Sequence, residues 1–159
     1  GTGTGDAVLI GLANLNVTAV GNVDAGTDDL MTYAHPANSL SANGKGVRIT
    51  AWGVTANNAN AKTLTLVYGA TTILSRTLVA NQASAWIINA VVIRTGAATQ
   101  VGIASFIATE DGTEGTTRLT VAASAPTETL SGAVTIKCTG TATTTNDIVQ
   151  RGLIVEMLN

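Results

Sequence analysis

The stretch Gly46-Val-Arg-Ile-Thr-Ala-Trp-Gly-Val-Thr-Ala-Asn-Asn-Ala-Asn-Ala-Lys-Thr-Leu-Thr-Leu-Val-Tyr68 holds two alternating runs on either side of a polar corner. In the first run Val47, Ile49 and Ala51 alternate with Arg48, Thr50 and Trp52. In the second, Leu64 and Leu66 alternate with Thr63, Thr65 and Val67. A period of two sends successive side chains to opposite faces, so each run reads as a strand with one face on a core and the other toward water. The Asn-rich corner between them offers side chains that hydrogen-bond their own backbone and so turn the chain.

Working outward, the same pattern recurs. Ala7 to Val23 reads as an opening strand broken near Gly11, with Leu15, Val17 and Ala19 on its apolar side. Asp24 to Asp29 reads as a turn, and Leu30 to His35 as a short strand stopped by Pro36, which cannot extend a central ladder. Further strands are expected over 72–79, 85–94, 100–108, 116–123, 133–139 and 147–158, with corners at Gly69 and at Thr95-Gly-Ala-Ala-Thr. Ala85 to Arg94 is almost continuously apolar, which predicts that both of its faces are covered, one by the core and one by a neighbour. Eight to ten short strands without helical periodicity predict an all-β, jelly-roll-like antiparallel β-sandwich with no long helices. An immunoglobulin-like sandwich is the second choice, weakened because its Cys-Trp-Cys arrangement is missing. Residues 1–6, alternating Gly and Thr, are expected to be a flexible arm, and residues 7–159 a single sandwich domain.

Composition excludes several classes. Charged residues are 11% of the chain, against roughly a quarter in an average soluble domain, so much of the exterior is poorly equipped to face water alone. The net charge is −2 and the basic residues are scattered, which offers no footprint for nucleic acid. No apolar run approaches the ~20 residues of a membrane-crossing helix. Aromatic residues, at 3%, are too few for the girdles of an outer-membrane barrel, so no membrane insertion is expected. Cys138 is the single cysteine and is expected to be a small buried hydrophobe.

The residues with chemical potential do not form a recognisable motif. His35 is the only histidine, and it has no nucleophile elbow, metal-ligand spacing or phosphate loop near it. Asp24, Asp28 and Asp29 match no calcium-loop spacing. The remaining carboxylates are dispersed, so no catalytic, cofactor or metal site is expected and the chain is read as a non-enzyme. Two features point instead to contact. Trp52 and Trp86 are candidate oligomer or partner contacts, since aromatics anchor interfaces. Glu110, Asp111 and Glu114 form the most charged loop, a candidate exposed recognition tip.

The ordered set Leu30-Met-Thr-Tyr, Leu40 to Gly53, Ala56 to Leu64, Trp86, Arg94-Thr-Gly-Ala-Ala-Thr-Gln and Thr144-Thr-Asn-Asp-Ile-Val resembles the jelly-roll virion proteins and appendage domains of tailed bacteriophages, over about Asp28 to Leu158. The resemblance implies a capsid decoration or head-fibre protein that assembles as a homotrimer and docks on major capsid or fibre proteins. It implies residence in the virion after assembly in the bacterial cytoplasm. Its alternative is the receptor-binding tip of a tail or head fibre, which would recognise the host surface. It implies no cofactor.

Overall fold

The structure, a computed structural model, describes residues 11–109 and 117–158. The expected N-terminal arm (1–6), residues 7–10 of the opening strand, and the loop carrying Glu110, Asp111 and Glu114 lie outside the described residues.

Eleven strands follow one another: β1 (Leu12–Asn16), β2 (Val20–Gly21), β3 (Gly26–His35), β4 (Gly46–Thr55), β5 (Lys62–Tyr68), β6 (Thr71–Leu78), β7 (Ala85–Gly96), β8 (Thr99–Thr109), β9 (Thr117–Ser124), β10 (Val134–Ala142) and β11 (Ile148–Leu158). They form a seven-stranded sheet, ordered β1-β11-β4-β7-β8-β9 with β2 also on β11, and a four-stranded sheet, ordered β3-β10-β5-β6. All pairings are antiparallel. The pairs β1·β11, β3·β10, β4·β7 and β5·β6 nest inside one another, as they do when one long hairpin is folded across itself. That nesting is a jelly roll. Hairpin β8–β9 interrupts it between β7 and β10, and lengthens the larger sheet alone.

The alternation read from the sequence decides the core. Val47, Ile49 and Ala51 on β4 and Leu64 and Leu66 on β5 have no exposed surface. The corner between them carries the chain from the larger sheet to the smaller one, so their apolar faces meet across the sandwich with Ile88, Val92, Phe106, Ile136 and Val155. Each such side chain, fully buried, contributes about 1.5–3 kcal/mol.

Several expectations need correction. The strand count exceeds eight to ten because the opening segment is divided into β1 and β2, with Val17 to Ala19 between them. Its apolar residues do not face the core: Leu15 is 57% and Val17 64% exposed. The acidic turn is shorter than expected, because β3 already starts at Gly26; only Asp24, at φ 54°, turns the chain. Trp86 is not a surface contact. It is 3% exposed, on the inward face of β7 opposite Gly53, whose missing side chain leaves room for the indole.

Candidate functional site

Two buried polar clusters hold residues with chemical potential. The first joins the β4–β5 corner to the β10–β11 turn. Asp147, 1% exposed, accepts hydrogen bonds from Asn58 Nδ2 (2.5 Å), Asn60 Nδ2 (2.9 Å), the Thr144 amide (2.8 Å) and hydroxyl (3.0 Å), and the Thr143 amide (3.2 Å). Lys62, wholly buried, donates to Asn58 Oδ1 (2.8 Å), Asn60 O (3.0 Å) and Asn58 O (3.2 Å). Burial pushes the Asp147 carboxyl up, but the bonds from Asn58, Thr144 and Asn60 outweigh it and hold the group well below the usual carboxylate range. Burial draws Lys62 down, and the charge of Asp147 opposes that. An ammonium with three acceptors is not a nucleophile, and a carboxylate saturated by donors has no lone pair to offer a metal or a proton relay. The cluster fastens two loops together. Asn58 and Asn60 serve as corner residues here, as the sequence indicates; Asp147 and Lys62 were not legible as partners.

The second cluster is at the end of β3. His35 is 1% exposed, and its Nε2 is 2.7 Å from Ser39 Oγ, which is in turn 2.5 Å from Pro36 O. A hydroxyl has one proton, and here it goes to the Pro36 carbonyl, so Nε2–H donates to Ser39 and the imidazole is no base toward it. Burial lowers the His35 pKa from its ordinary 6.5. The folded state therefore resists protonation, while the unfolded chain takes a proton from about pH 6.5 downward. The stability that His35 contributes is full above that value and is lost as pH falls from it to the folded-state pKa. Urea midpoints of the wild-type chain are expected to fall between pH 7 and pH 5, and those of His35→Gln to stay nearly level. Equal slopes for the two chains contradict this.

What remains is surface, and its two sides differ in kind. On the smaller sheet, hydroxyls pair across strands: Thr27 with Thr141 (2.6 Å), Thr65 with Ser75 (2.8 Å) and Thr63 with Thr77 (3.1 Å), beside the ion pair of Lys137 with Asp29 (2.7 Å). None of the exposed large hydrophobic residues among the described ones stands there. Seven of the nine are on β1, β8 and β9, and the other two, Val17 and Val23, flank β2.

Strand register arranges the outward residues of the larger sheet in rows. One runs Trp52, Ile87, Ile107, Leu119. The next runs Leu15, Ile154, Thr50, Asn89, Ser105, Val121. A third runs Leu12, Glu156, Arg48, Val91, Ile103, Ala123, and Ile93 and Val101 continue the face beyond it. The only charges in these rows are Arg48 and Glu156, 3.8 Å apart and paired with each other. A shallow, open depression of about 440 Å³ lies near the middle, between Arg48, Asn89, Val91, Ile103 and Val121. Trp52 is on this face, half-buried, with its ring over Gly152. The second face of β7 is thus apolar, as its sequence predicts, and in the single chain Ile87, Val91 and Ile93 are only half-buried while Asn89 is exposed.

No protein family matches the sequence, and no curated protein is similar to it. Among solved structures, the CBM2 module of the evolved Dit of Lactobacillus casei BL23 phage J-1 is 11% identical, with a TM-score of 0.40, over 86% of this chain and 74% of that one. The infectious bursal virus protein of the T=1 particles is 13% identical, with a TM-score of 0.32, over 93% of this chain and 32% of that one. Neither likeness bears on binding or location, and the jelly-roll assignment rests on the strand order.

Proposed function

We propose that the chain is a structural virion protein of a tailed bacteriophage, a capsid decoration or head-fibre component that works by stable docking and not by turnover. The observation that carries this reading is the division of the surface: a hydroxyl-covered sheet on one side and, on the other, a sheet that carries seven of the nine exposed large hydrophobic residues among the described ones. Apolar patches of this extent mark interaction sites more often than they mark free surface. The polar clusters that could have supported catalysis are internally satisfied or wrongly oriented for it, which leaves contact as the chemistry on offer. The resemblance to phage jelly-roll proteins supplies the setting, and with it the threefold assembly and the capsid as partner.

Antibody raised against the chain is expected to decorate heads of the phage particles that carry it, in electron micrographs of intact virions. Label confined to fibre tips would replace this reading with host recognition. Absence of label from every particle would end it.

A further inference from the structure

We propose that hairpin β8–β9, with the outer face it extends, is the contact by which this chain associates with a second copy of itself; the inference rests on the docking role above and names its first partner.

The hairpin is incomplete in the single chain. Leu119 and Val121 on β9 are 65% and 61% exposed on the outer side. On the inner side Thr120, Ala122 and Ser124 are only half-buried, although β6, the last strand of the smaller sheet, lies against β9 and Ala122 packs on the core. A strand half-buried on its inner side and open on its outer side gains only part of the burial that orders a chain, and a neighbour would supply the rest.

The edge of β9 is open as well. Of the four sheet edges, β1 is five residues long and carries a register shift, and β3 and β6 also pair through shifts, which blunt them. β9 pairs with β8 over eight residues without one. A regular edge of this length beside exposed apolar residues is a border open to further protein.

Size and charge select a copy of the chain over other occupants. Six strands in sequence across the sheet, about 4.8 Å apart, and three to four rows of outward residues about 6.8 Å apart, give roughly 600–800 Å². A standard interface buries about 800 Å² on each partner. A sugar would want an aromatic platform, and the only ring in the rows is Trp52, itself half-buried. A phosphate, an acidic partner or an anionic membrane would want a cluster of unpaired cations, and this sheet offers Arg48, paired with Glu156, and the single exposed Arg151 on β11. A second copy of the same neutral apolar face meets it without leaving any charge buried alone.

The test is the mass of the full chain in solution by analytical ultracentrifugation. The wild-type chain is expected to sediment at a whole multiple of 16.0 kDa at micromolar concentration. The double variant Ile103→Lys, Val121→Lys is expected to sediment as a monomer with an unchanged far-UV spectrum, its dissociation constant raised about 100-fold or more by burial of like charges. A control, Thr65→Lys on the hydroxyl face, is expected to keep the wild-type mass. Should the double variant fail to fold, hydrogen exchange on the wild-type chain decides: protection of β8 and β9 amides is expected to rise with concentration. A wild-type monomer at tens of micromolar, a folded Lys variant of wild-type mass, or concentration-independent protection overturns the inference. A monomer that still binds phage heads would sink this inference and leave the docking reading standing; a multimer that binds no particle would do the reverse.

Discussion

Trp86→Ala is expected to lower stability by about 3–5 kcal/mol, the range for removing a large aromatic from a packed core. At about 2–4 °C per kcal/mol for a chain of this size, the melting temperature should fall by roughly 6–20 °C. The reason is geometric. Trp86 is 3% exposed, and its indole lies over Gly53 in the adjacent strand, which has no side chain to fill the space left behind. The fitting control is Trp52→Ala, which removes a half-buried ring from the outer face and is expected to cost about 1 kcal/mol or less in a dilute monomer. Thermal unfolding of both variants at one low concentration checks the contrast. Similar small losses for the two would mean that Trp86 is not the interior residue its burial makes it.

The second large effect is expected at the corner. Asp147→Asn keeps the shape of the side chain and turns one acceptor oxygen into a donor facing the amides of Thr143 and Thr144 and the carboxamides of Asn58 and Asn60. It also removes the negative charge nearest the buried ammonium of Lys62. Removing a carboxylate that accepts five hydrogen bonds and whose charge acts on a buried ammonium is expected to cost about 3–5 kcal/mol, the range for leaving a buried charge uncompensated, in chemical denaturation of the variant. The wild-type chain should show the same dependence through acid: with its folded pKa depressed below the ordinary 3.8, Asp147 contributes stability that is full above that value and lost as pH falls beneath it. Lys62→Met with Asp147→Asn is expected to recover part of the loss, because no charge is then left without its counterpart. A double variant as unstable as the sum of the two singles would remove the coupling.

Much of the architecture was legible because burial and strand period coincide. Val47, Ile49, Ala51, Leu64 and Leu66 alternate in sequence as they do in space, and Pro36 and Gly69 stop strands where their backbone chemistry says they must. The opening segment misled for a physical reason. Leu15 stands in an outward row of the larger sheet and Val17 lies beyond the end of β1, so both are apolar without being interior, and alternation alone does not say which face is covered. The two tryptophans illustrate the same limit. Trp52 and Trp86 look alike as isolated aromatics, and only register, which sets Trp86 inward and Trp52 outward across the β4·β7 pair, separates them. The candidate surface was half visible: the double-sided apolar character of Ala85 to Arg94 pointed to it, but its extension through β8 and β9 depends on strand order, which spacing does not reveal. The link between Asp147 and Lys62 was invisible because it runs through Asn58 and Asn60, 89 and 87 positions from Asp147.

The nested pairing has a consequence for how the molecule comes into being. β11, the last of the described strands to be synthesised, is the one that sits between β1 and β4, so that Asn14 finds its partner Leu153 at a separation of 139 positions. Until that strand leaves the ribosome, β1 and β4 face a gap with unpaired borders on either side. A growing chain of this topology cannot bank its early strands one by one. It must wait, still open along that side, for β11 to close it.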